Sequence, residues 1–144
     1  MQVKKAHSVY DMQYHIILVT KYRRPAIYGD VEKIIKSQIH EVVEKSFEGQ
    51  VIEMESDKDH IHVLVSIGPK YALMDVVAVM KGRTSREVRS QCWDQVKKQL
   101  WGDHFWSPSY YVATTGGVTI ETLKQYVQSQ PEKPRKAGRP KLTK

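Results

Sequence analysis

The order of hydrophobic periodicities constrains this chain of 144 residues more than any other feature. Ser8 to Thr20 carries Val9, Tyr10, Met12, Tyr14, Ile16, Ile17, Leu18 and Val19 in rough alternation, the period of a strand. After a basic, proline-containing loop, Val31, Ile34, Ile35, Ile39, Val42 and Val43 keep helical spacing. That predicts a helix from an Asp30 N-cap to about Phe47, stopped by Gly49. Two strands follow, Gln50 to Glu55 and His60 to Ile67, joined by the polar turn Ser56-Asp57-Lys58-Asp59. A second helix spans about Leu73 to Cys92 with Gly82 interrupting it, and Trp93 to Trp101 reads as a short helical extension. A fourth strand fits Tyr110 to Thr114, and a last helix, Ile120 to Gln130, ends at Pro131.

Strand, helix, strand, strand, helix, strand is the order of a ferredoxin-like α+β sandwich, an antiparallel sheet with helices on one face. The last helix is an appendage to it. The expected division is one domain over residues 1–130 and a flexible basic tail over 131–144. At 40% hydrophobic and 27% charged the chain can bury a core. No stretch nears eighteen consecutive apolar residues, and Met1 to Lys5 lacks the apolar run and cleavage site of a signal peptide. The single cysteine, Cys92, excludes an internal disulfide and an all-cysteine metal site. These features lead to an expectation of cytoplasmic residence without a membrane partner.

The net charge of +7 is unevenly placed. Pro131 to Lys144 holds six basic residues and one acid, so the other 130 residues carry 17 basic and 15 acidic side chains. A polyanion partner is indicated mainly by the tail. The body has to be read from its motifs.

His60 and His62 flank Ile61 on one strand, so both imidazoles project from the same sheet face. They are either two residues of a solvated face or part of an open metal site, since a closed structural zinc site wants four ligands. Tyr126 and Gln130, at i and i+4, share one face of the last helix. A phenol titrates near pH 10, so a tyrosine needs help to act as a nucleophile at neutral pH. No G-x-x-x-x-G-K-[ST] loop is present, nor an obvious acidic cluster of the two-metal nuclease kind.

Taken together, Asp59-His60-Ile61-His62-Val63-Leu64-Val65 and a late Tyr126-x-x-x-Gln130 resemble the HUH superfamily of single-strand DNA nucleases. More narrowly the chain resembles the single-tyrosine, IS200-like transposases of minimal insertion sequences. Three further blocks carry that resemblance: Tyr14 to Pro25, Lys81-Gly82-Arg83-Thr84-Ser85-Arg86, and Leu100-Trp101 through Phe105-Trp106-Ser107 and Tyr110-Tyr111-Val112 to Gly116-Gly117. The resemblance implies that His60, His62 and Gln130 bind Mg²⁺ or Mn²⁺ and that Tyr126 attacks the scissile phosphate. A 5′-phosphotyrosine and a free 3′-hydroxyl result, resealed later without ATP. It also implies single-stranded DNA with hairpin-forming element ends as substrate, nucleoid association during transposition, and a homodimer whose tyrosine helix docks in cis or in trans. Gly116 and Gly117 are the candidate hinge for that docking.

Lys21, Arg23 and Arg24 in one loop, and Lys81, Arg83 and Arg86 on the second helix, are candidate DNA contacts or simply solvated surface. Trp93, Trp101 and Trp106 either stack on unpaired bases or pack in the core. His7, His15, His40 and His104 read as structural or surface residues. In the tail, Arg135 and Arg139 belong to a Gly-Arg-Pro segment that resembles an AT-hook, and otherwise add unspecific phosphate contacts. Two other functions stand beside the transposase reading. One is a non-catalytic module that binds single-stranded nucleic acid on its sheet. The other is a domesticated relative acting on chromosomal repeats.

Overall fold

A computed structural model describes residues 2–5, 8–100, 104–115 and 120–132. The candidate hinge residues Gly116 and Gly117, the tail arginines Arg135 and Arg139, Trp101 and His7 lie outside these residues. A small hairpin opens the chain, β1 (Val3–Lys5) paired with β2 (Ser8–Tyr10). The main sheet is built from β3 (Gln13–Val19), β4 (Gln50–Ser56), β5 (His60–Ser66) and β6 (Tyr111–Thr114). Its strands lie in the order β4-β5-β3-β6, all antiparallel. The helices are α1 (Gly29–Glu41), α2 (Leu73–Gln91), a short α3 (Trp93–Val96) and α4 (Ile120–Ser129). This is the expected antiparallel α+β sandwich.

Alternation along β3 and β5 divides the apolar residues between two faces. Ile16 and Leu18 from β3, with Ile61, Val63 and Val65 from β5, are completely or almost completely buried beneath Ile35, Ile39, Val76, Val77 and Met80 of α1 and α2. The opposite face carries a smaller cluster, in which Ile17 and Val19 are covered by Val127 of α4 with Leu123, Tyr126 and Tyr111 around it. The sheet is therefore covered by two helices on one side and by the last helix on the other.

Four local expectations need correction. The run Ser8 to Thr20 is two strands, because the chain leaves the hairpin after Tyr10 and enters the main sheet at Gln13. Helix α1 has Asp30 in its first turn and not at the cap; Gly29, at φ 57°, turns the chain into the helix one residue earlier. Its end is a π turn over Val42–Ser46. Gly82 does not interrupt α2, which runs unbroken through it. The helix after Cys92 is one turn long, Trp93–Val96.

Candidate active site

The strand registers bring the candidate residues together. Ile17 of β3 pairs with His62 of β5 on one side and with Tyr111 of β6 on the other, while Val19 pairs with His60. Directly paired residues project to the same face. Both histidines therefore stand beside the two apolar residues on which Val127 packs. Residue 126 precedes that anchor, and the Tyr126 ring lies 5.3 Å from Tyr111. The helix bearing Tyr126, with Gln130 directly after its last residue, is thus seated on the histidine face of the same chain's sheet.

At the helix end, the hydroxyls of Tyr126 and Ser109 are 3.0 Å apart. Ser109 and Ser107 donate to Gln130 Oε1 at 2.8 and 3.2 Å. Burial raises the Tyr126 hydroxyl above the ordinary phenol range, and the Ser109 hydrogen bond offsets part of the effect. The phenol is therefore protonated at neutral pH.

Among the histidines, His60 Nδ1 donates to Asp59 Oδ1 at 2.8 Å. The other oxygen of that carboxylate accepts from Arg23 Nε at 3.2 Å, so Asp59 is an ionised acceptor. The proton of neutral His60 is therefore on Nδ1, which leaves the Nε2 lone pair available, the arrangement of a metal-binding histidine held by a carboxylate. His62 Nε2 lies 2.7 Å from His15 Nδ1, with the two rings stacked. Burial is the first cause of a lowered His62 pKa, followed by the charge of His15, while Glu55 and Glu53 push it back up. A neutral imidazole is the form that ligates metals. Among the described residues no three His, Cys, Asp or Glu side chains form a cluster able to hold a metal ion. A site based on the histidine pair therefore needs a donor of another kind, and the Gln130 amide oxygen is of the right chemistry.

The basic residues separate in role. Arg23 pairs with Asp59, and with Glu132 at 3.7 Å, so it links the loop after β3 to the histidine strand and to the residues beyond α4. In this position it acts as a structural tie between those segments. Tyr22 and Arg23 both adopt left-handed φ, 57° and 54°. Such backbone costs roughly 1–3 kcal/mol per residue and is held only where surroundings enforce it. Thr20 does so here, being buried and donating its hydroxyl to the carbonyls of Arg24 and Asp59. Lys81 donates to the carbonyls of Ser107 and Pro108, at 2.7 and 3.3 Å. Arg83 reaches Gln38 at 3.4 Å, and Arg86 is exposed. Trp106 is a core residue whose indole donates to Thr84, whereas Trp93 stays 46% exposed.

Sequence reasoning missed four participants: Asp59, His15, Ser107 and Ser109. Asp59 adjoins the histidine pair, so its position was a signal. His15 shares the face of Ile17 by simple alternation, but its contact with His62 depends on the β3–β5 register. The serines sit in an irregular segment where periodicity gives no direction.

The family model described as "Transposase IS200 like" matches residues 8–130. The chain is 33% identical over 134 residues to the ISDra2 transposase TnpA of Deinococcus radiodurans, covering 92% of this chain and 94% of that protein. It is 32% identical over 127 residues to the transposase for insertion sequence element IS200 of Salmonella typhimurium, covering 88% and 82%. The fold superimposes with a TM-score of 0.80 and 28% identity on a crystal structure of a protein assigned as a transposase from Deinococcus radiodurans R1, over 90% of this chain and 98% of that one. A REP-associated tyrosine transposase bound to a REP hairpin shares the fold alone, with a TM-score of 0.54 at 9% identity over 88% and 68%. The chain belongs to the IS200-like transposase family.

Proposed function

We propose that this transposase cleaves and rejoins single-stranded DNA at insertion-sequence ends, with Tyr126 as its nucleophile. The observation that supports this best is the seat of α4, whose Val127 packs on the β3 residues that pair with His60 and His62. The tyrosine hydroxyl and the histidine pair share one face, as attack on a single phosphate requires.

In the cleavage step a bond forms between Tyr126 Oη and phosphorus while the bond from phosphorus to the 3′ oxygen breaks. The phenolic proton leaves toward the Ser109 hydroxyl or water, and the departing 3′ oxygen takes up a proton. The phosphodiester energy is kept in the tyrosyl ester, so a 3′-hydroxyl can reverse the step without ATP. His60, His62 and Gln130 would hold a divalent cation, Mg²⁺ or Mn²⁺. When bound, the ion polarises a non-bridging phosphate oxygen. Asp59 orients His60, and Ser107 and Ser109 orient the Gln130 amide. Exchange of two DNA ends needs two tyrosines, so the active species in this reading is a homodimer. Hairpin-forming ends are the expected substrates; the REP hairpin bound by the distant fold relative accords with this.

Oligonucleotides spanning an element end, labelled at either terminus, test the reading on a denaturing protein gel with Mg²⁺ or Mn²⁺. Label on the 3′ side should migrate with the protein, and the 5′ label should be released on a fragment ending in a 3′-hydroxyl. Binding of a validated end sequence without any adduct would overturn it in favour of a non-catalytic binding module. Ser109→Ala should slow adduct formation about fivefold, the equivalent of one neutral hydrogen bond of about 1 kcal/mol, with DNA affinity unchanged. Single-turnover rates at saturating protein measure this.

A further inference from the structure

A groove on the other side of Ser107 takes no part in the chemistry above. It is lined by Lys21, Lys81, Gly82, Arg89, Phe105 and Ser107 among others, and its volume is about 560 Å³. That lies within the range of ligand sites, about 300–1,000 Å³. No carboxylate is found among the described residues that line it. The two hydrogen bonds from the half-buried Lys81 ammonium to the Ser107 and Pro108 carbonyls fix its position and leave a third donor for a ligand.

Gly82 is an independent observation. It lies inside the exposed part of α2, where glycine costs about 1 kcal/mol relative to alanine. A Cβ at this position would meet no atom within 4 Å. Neither packing nor an unusual backbone angle calls for glycine there. What its missing side chain does provide is clearance in the groove, the usual reason for glycine where another backbone comes close.

The groove adjoins the candidate active site through Ser107. The Ser107 carbonyl receives Lys81, while its hydroxyl donates to Gln130. On the same rim, the Lys21 amide is bonded to the Phe105 carbonyl, and two residues on, Arg23 is tied to Asp59 beside His60. An anionic chain leaving the tyrosine over Ser107 enters a channel whose charged lining is wholly basic among the described residues.

We propose that this groove holds the phosphodiester backbone of the single strand flanking the scissile phosphate, with Lys21, Lys81 and Arg89 supplying the positive charge and Gly82 the clearance. The proposal rests on the reading of Tyr126 as a DNA nucleophile. Its test uses the full chain with Gly82→Glu, Gly82→Ala and Lys81→Gln, each checked by thermal melting. Affinity for an unstructured oligo-dT and for a blunt hairpin is measured by fluorescence anisotropy across a salt series, beside adduct formation on an element end.

Gly82→Ala, which favours the helix but puts a methyl group into the clearance, should weaken oligo-dT binding about threefold without melting earlier than the wild type, and Gly82→Glu should weaken it at least about tenfold. An alanine variant that binds like the wild type would remove Gly82 from the proposal. Lys81→Gln should reduce the slope of log affinity against log salt by about 0.7, the value for one lost phosphate contact on a single strand. Unchanged oligo-dT affinity in Gly82→Glu, or a loss confined to the blunt hairpin, would overturn the groove proposal. Should Lys81→Gln melt early, the Gly82 pair decides alone. Absence of an adduct in the wild type marks failure of the nucleophile reading instead, so the two failures are told apart.

Discussion

Tyr126→Phe is expected to lower covalent adduct formation by at least about 10⁴-fold, the scale on which losing an essential nucleophile is felt. Single-strand affinity and melting temperature should change little. The phenylalanine ring keeps its contact with Tyr111, and the fold loses only the exposed hydrogen bond to Ser109, a matter of about 1 kcal/mol. This contrast is the value of the variant: a residue that only packs would cost stability and spare chemistry. Denaturing gels of the labelled element end, with melting curves of the same preparations, measure both. Adduct persisting in Tyr126→Phe would transfer the role to another hydroxyl, with Ser109, 3.0 Å away, as the first to examine.

The second large effect concerns where that tyrosine is held. Val127 is the one buried residue of α4 among those described, 6% exposed, with Leu123 and Tyr126 only partly buried beside it. Burying a valine side chain contributes about 1.5–3 kcal/mol. Val127→Asp removes that contribution and adds the cost of desolvating a carboxylate against Ile17 and Val19, for a total of about 3 kcal/mol or more. Each 1.4 kcal/mol is tenfold in a population, so the docked fraction of the helix should fall by up to about 100-fold. The adduct rate falls with it. The main core, on the other side of the sheet, does not include Val127, and its melting transition should remain. A single-turnover rate equal to the wild type in Val127→Asp would show that the docking of α4 on its own sheet is irrelevant to cleavage.

These two variants bear on different parts of the inference, and those parts were unequally legible. The pairing of His60 with His62, and of Tyr126 with Gln130, is a consequence of backbone period alone, two residues in a strand and about four in a helix. Neither needs any knowledge of the rest of the chain. Gly82 shows the opposite case. Glycine in a helical pattern reads as an interruption, yet nineteen residues of α2 hold their hydrogen bonds across it because the buried Val76, Val77, Met80, Thr84 and Val88 pin both halves to the core. Packing outweighs a local cost of about 1 kcal/mol. Arg23 shows a related limit: its pairing with Asp59 follows only from the fold, which brings the loop after β3 beside residue 59.

The sequence by itself therefore determined the order of the main-sheet strands and the helices packed on them, though not the opening hairpin, together with the antiparallel α+β class and the common face within each residue pair. All of these follow from periodicities that repeat along short stretches of backbone. Only the tertiary structure decided that the helix carrying Tyr126 lies on the histidine face of the sheet. It alone decided that His15 meets His62, that Asp59 stands between Arg23 and His60, and that Lys81, Gly82 and Ser107 border one groove. Those relations join residues 15 to 62, 23 to 59 and 81 to 107, and they depend on strand register and helix seating. Contacts over such separations are set by how the whole core closes, and no local pattern encodes them.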